Sequence, residues 1–82
     1  MRRYYFDVRE DDNLQTDDEG RDFSSVEAVQ DEATMSLAEL ALDAMAKRGV
    51  DHRMSIEVRD DRGPVLKVTC TFEIERLQRS GG

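Results

Sequence analysis

Wound at about 100° per residue, residues 25–48 bring Val26, Val29, Ala33, Leu37, Leu40, Ala41 and Ala44 into a single stripe. That predicts one long helix, about 36 Å from end to end at 1.5 Å per residue. The stripe is rich in alanine, which lets a helix lie close against a sheet. Ser24 followed three residues later by Glu27 has the form of a capping box, and Phe23 with Ala28 has the spacing of a hydrophobic staple. Gly49 supplies a left-handed terminator, and Lys47 and Arg48 suit the negative end of the helix dipole. Nearly opposite the stripe lies a weaker set, Ala28, Met35, Leu42 and Ala46, bordered by Asp31, Glu39 and Asp43. A monomeric domain of two layers would leave Met35 and Leu42 in water.

The segments around the helix repeat every two residues. Tyr4, Phe6 and Val8 fall on one face of an opening strand and Tyr5 on the other. Residues 14–16 have the composition of a very short return strand, between turns rich in aspartate and with Gly20 available for positive φ. Arg21 and Asp22 then lead into the cap. After the helix, Met54, Ile56 and Val58 alternate with Ser55, Glu57 and Arg59, and a turn at residues 60–63 precedes Pro64. Residues 65–75 carry the clearest strand pattern: Leu66, Val68, Cys70, Phe72 and Ile74 inward, Lys67, Thr69, Thr71, Glu73 and Glu75 outward. This strand outruns its hairpin partner, so the excess beyond Thr71 needs either the opening strand or a second copy of the chain beside it. The expected fold is α+β, a two-layer β-(β)-α-β-β arrangement with an antiparallel sheet of three or four strands and one long helix on one face. Residues 1–82 make one small domain, with an ordered core at about residues 3–75 and a frayed tail at 76–82.

Charge and cysteine usage narrow the function classes. Twelve basic against nineteen acidic side chains leave a net charge of −7, which disfavours direct binding to nucleic acid. From Glu10 to Glu32 there are ten carboxylates and one base, Arg21. A single cysteine and a single histidine exclude an intramolecular disulfide and a zinc site built on those residues. No apolar run is long enough to span a bilayer, so no membrane partner is expected, and the chain reads as cytoplasmic.

Each candidate for chemistry has a plainer reading. The acidic segment 10–22 meets the first two ligand positions of a calcium loop at Asp11 and Asn13, but has Gln15 third and no glycine after it. It therefore reads as a solvated loop, with binding of a metal or small ligand as the alternative. His52 follows the helix beside Asp51 with no nucleophile in its pattern. Cys70 shares an inward face with Val68 and Phe72, a setting for a core thiol and not a reactive one. Tyr4, Tyr5 and Phe6 read as core packing with one ring outside. No catalytic, metal-ligating or cofactor-binding set emerges, and no cofactor is implied. Met35, Leu42, Tyr5, Ala28 and Ala46 are instead candidates for an interface.

Arg3-Tyr4-Tyr5-Phe6, Asp18-Glu19-Gly20 with Phe23, Val26-Glu27-Ala28 and the hairpin from Ile56-Glu57-Val58 to Gly63-Pro64-Val65-Leu66 resemble a group of small uncharacterised proteins. These are common in rhizobia and related alphaproteobacteria and carry only a domain-of-unknown-function label. The resemblance runs over most of residues 3–72 and implies a bacterial cytoplasmic protein. It supplies no reaction, ligand or catalytic residue. The expectation is a non-enzymatic interaction or regulatory protein, its partner being either an unknown protein or a second copy of itself.

Overall fold

The computed structural model describes residues 1–49 and 53–78, apart from the side chain of Arg48. The fold is α+β: strands β1 (Arg2–Glu10), β2 (Asn13–Gln15) and β3 (Arg21–Phe23), helix α1 (Val26–Arg48), then β4 (Arg53–Asp60) and β5 (Gly63–Thr71). The strands form one antiparallel sheet in the order β2-β1-β4-β5, with β3 also paired to β1. The short strands run in line along β1. Glu10 stands opposite Asn13 and Val8 opposite Gln15, then Tyr4 opposite Arg21 and Arg2 opposite Phe23. Between them the ladder is broken by residues 16–20.

Alternation places the core as expected. Tyr4 and Phe6 of β1, with Met54, Ile56 and Val58 of β4, are buried beneath Val29, Ala33, Leu37, Ala41 and Ala44 of α1. Phe23 closes one end, its ring 6.1 Å from Tyr4 and 5.6 Å from Phe6 between centroids. The inward residues of β5, Leu66, Val68 and Cys70, are only half-buried. One helix covers about two strands, because helices pack at roughly 10 Å while strands lie about 4.8 Å apart.

Several local expectations are corrected. The N-cap is Ser25, not Ser24: its extended backbone (φ −152°, ψ 158°) lets Oγ accept the Ala28 N–H at 3.1 Å. The residue three beyond the true cap is then Ala28, so there is no capping box, and Glu27 serves only as an acid in the first turn. Phe23 is no staple, since it is committed to β3 and the aromatic cluster. Val26, expected in the stripe, is 45% exposed at the helix entry. Arg21 and Asp22 do not merely lead into the cap: they are β3, which with β2 raises the sheet to five strands. The last strand ends at Thr71, not Glu75, because β4 begins at Arg53, directly opposite Thr71. Gly49 does terminate the helix, at φ 93° with its N–H on the Met45 carbonyl.

Candidate functional site

The sheet face away from the helix carries a polar cluster made by the break between β2 and β3. There β1 loses its ladder partner, and the Asp17 carboxylate takes the partner's place. Oδ2 accepts the Phe6 N–H at 3.1 Å, while Oδ1 accepts the Glu19 and Gly20 N–H groups at 3.0 and 3.2 Å. Burial works to raise the pKa of this carboxyl, but the three backbone donors together outweigh it and hold the group below its ordinary value. Gly20 is required at the turn, where φ is +75° and a Cβ would stand 2.8 Å from Arg3 Cγ and 2.9 Å from the Tyr5 ring.

Asp7, buried although it points away from the helix, is held in the same cluster. It accepts the Asp17 N–H at 2.9 Å and Arg59 Nε at 2.9 Å. Arg59 Nη2 also donates to the Asp17 carbonyl at 2.7 Å, and the guanidinium lies 4.6 Å from the centroid of the Tyr5 ring. Beside this cluster a shallow depression of about 610 Å³ is lined by Asp7, Arg9, Glu57, Arg59 and Lys67. Its arginines are engaged, Arg59 with Asp7 and Arg9 with Glu57 at 2.7 Å. The Glu57 hydrogen bond and charge hold Arg9 more firmly protonated. Asp7 and Arg59 tie residues 16–20 to the sheet through Asp17, and Arg9 with Glu57 links β1 to β4. No nucleophile with a base aimed at it is part of the arrangement.

The other notable surface is the outer side of β5. This strand pairs with β4 alone, leaving its far edge open among the described residues. Beside that edge an apolar groove is lined by Thr34, Leu37 and Ala38 from α1 and by Val68, Thr69 and Cys70 from β5. Past Thr71 the alternating pattern continues without a ladder, and Ile74 is 67% exposed. The helix is asymmetric about this edge. Toward β5 it presents Glu27, Gln30 and Asp31 in its first turns, then Thr34 and Ala38, continuing round to Leu42 and Met35; toward β3 it presents Glu32, Ser36, Glu39 and Asp43. Glu32 is paired there with Arg21 at 3.0 Å.

The residues singled out from sequence separate. Met35 and Leu42 are 63% and 64% exposed on the outer helix face; Ala28 and Ala46 lie on that face, half-buried and exposed respectively. Tyr5 does not join them, being on the opposite side of the sheet under Arg59. Cys70 is half-buried at the groove, not sealed in the core. His52 and Asp51 lie outside the described residues. Among the described residues no three or more His, Cys, Asp or Glu side chains are grouped to hold a metal ion. No helix there is long and apolar enough to cross a membrane. Sequence reading missed Asp7, Asp17 and Arg59 as a unit. The available signal was Asp17 three residues before Gly20, the spacing of an aspartate turn.

These features define a class: a small α+β domain with one helix laid across an antiparallel sheet of five strands and one edge of that sheet open. The chain belongs to the family described as domain of unknown function DUF6894, whose match covers residues 3–71. No curated protein and no solved structure matches it.

Proposed function

We propose that this chain is a non-enzymatic interaction or regulatory module of the bacterial cytoplasm, and that it works through the open edge of β5 and the apolar helix flank beside it. One observation carries the reading. Among the described residues β5 has β4 as its one neighbour, it borders the apolar groove, and its alternating pattern runs on beyond the residues that β4 pairs. An exposed strand edge offers backbone donors and acceptors at regular spacing, and a neighbouring apolar groove adds affinity by burial. Met35 and Leu42 extend that apolar surface, which gives them a role that burial within one copy does not supply. The carboxylates of the broken ladder support the same reading: Asp17 spends both oxygens on backbone donors, which suits a structural use of the acidic segment.

The test is a photo-crosslinking side chain at Thr69, on the β5 edge, compared with one at Thr16, on the far side of the sheet. The expected outcome in the native cell is a discrete protein adduct from position 69 and none of the same mass from position 16. Absence of any adduct at 69, or identical adducts from both positions, defeats the reading.

A further inference from the structure

Only some registers are open to β5 pairing with itself. Residues directly opposed in an antiparallel pair point to the same face, so a two-fold axis must pass through a residue position. Centring on Lys67 sets two ammonium groups against each other. Centring on Thr69 puts Val65 opposite Glu73, and centring on Thr71 puts Leu66 opposite Arg76. Centring on Val68 avoids both faults but sets Lys67 opposite Thr69 and Glu73 opposite Gly63, so neither charge gains a partner; centring on Cys70 avoids both faults and pairs the charges. On the outer face Lys67 then meets Glu73 of the second copy, in both directions, and Thr69 meets Thr71. On the inner face Leu66 meets Ile74 and Val68 meets Phe72. The strand is complementary to itself in charge and in apolarity over residues 66–74.

The helix agrees with the same axis. It borders β5 through Thr34, Leu37 and Ala38, so closing β5 on a second β5 puts both helices on the same side of the joined sheet, with the half-covered inner faces of the two β5 strands between them. Cys70 shares its groove with Ala38, so the axis passes beside one of the smallest side chains of that flank, where close approach is easiest. Near the axis the flank turned toward it carries Thr34, Ala38 and Leu42, with Glu27, Gln30 and Asp31 farther back toward the start of the helix, and Glu32, Glu39 and Asp43 are on the flank turned away.

We propose that the open edge of β5 is occupied by the same edge of a second copy of this chain, antiparallel and centred on Cys70, joining two sheets into one. The proposal rests on the interaction reading above and names the partner. Residues 72–74, which have no ladder within one copy, become strand, and Phe72 of each copy fills the groove of the other. The thiols of Cys70 meet across the axis.

The experiment is light scattering and sedimentation under reducing conditions on four full-length proteins: wild type, Lys67→Glu, Glu73→Lys and the double exchange. Wild type should be a dimer. Each single change sets like charges opposite each other twice per dimer and should weaken dimerisation by about tenfold or more. The double exchange should return it to within about threefold of wild type. Mild oxidation of wild type should link two chains through Cys70. A wild type that stays monomeric at millimolar concentration overturns the proposal, and so do single variants that dimerise like wild type or a double exchange that fails to recover. A monomer with a crosslink from position 69 to a different protein removes the second copy as partner and leaves the interaction reading standing. A monomer with no crosslink removes both.

Discussion

At the scale of single residues, Asp17 does more than its place in an acidic run suggests. Its carboxylate closes a gap in the sheet, accepting from Phe6 in β1 and from the turn at Glu19 and Gly20. Asp17→Asn keeps the shape but replaces one acceptor oxygen by a donor facing an N–H. The expected loss is about 1–3 kcal/mol at neutral pH, read by urea unfolding. The folded state lowers this group's pKa, so the stability it contributes is complete above the unfolded carboxyl value of about 4 and is lost as pH falls through the lower folded value. The difference between wild type and Asp17→Asn should therefore narrow as the titration is carried to acid. A gap independent of pH would show that the charge of Asp17 has no part in it.

At the scale of elements, the helix and the hairpin were legible because each repeats a simple period many times. Leu37, Ala41 and Ala44 recur at helical spacing, and Met54, Ile56 and Val58 at strand spacing, and all six are buried. β3 escaped notice because three residues are too few to show a period. The cap was misplaced by one because Ser24 and Ser25 both qualify chemically, and what separates them is whether β3 has already claimed the chain through Phe23. Ser25→Ala should cost about 1 kcal/mol in chemical denaturation, and Ser24→Ala should change little. Equal losses would mean that the two hydroxyls share the cap. The length of β5 shows a different limit. Its pattern runs to Glu75, but a strand extends only as far as a neighbour supplies hydrogen bonds, and among the described residues the pairing with β4 ends at Arg53 opposite Thr71.

At the scale of the whole molecule, a chain of 82 residues whose described part lays one helix over five strands leaves an apolar strip half-covered along β5. A second copy closing that edge makes stability depend on concentration. The midpoint of thermal unfolding should rise by about 5–10 °C over a hundredfold range of protein concentration. A version ending at Phe72 keeps the half-buried ring but loses Glu73 and Ile74, and should unfold at one temperature whatever its concentration. A constant midpoint for the full chain would speak against association.

By itself the sequence determined the periods: one long helix, a closing hairpin, an opening strand, and which face of each is apolar. Those follow from local geometry, since 3.6 residues per turn and two per pleat sort side chains before anything packs. It also marked Met35, Leu42 and the end of the last strand as surface without a use inside one copy. Tertiary structure alone decided that residues 13–23 fold back along β1 in two pieces, that Asp17 fills the break, that Arg59 lies against Asp7 and Tyr5, and that β5 stands at the edge beside Ala38. Those outcomes depend on which groups meet across long stretches of chain, and a hydrogen bond or a sheet edge exists only once its partner has been placed or withheld.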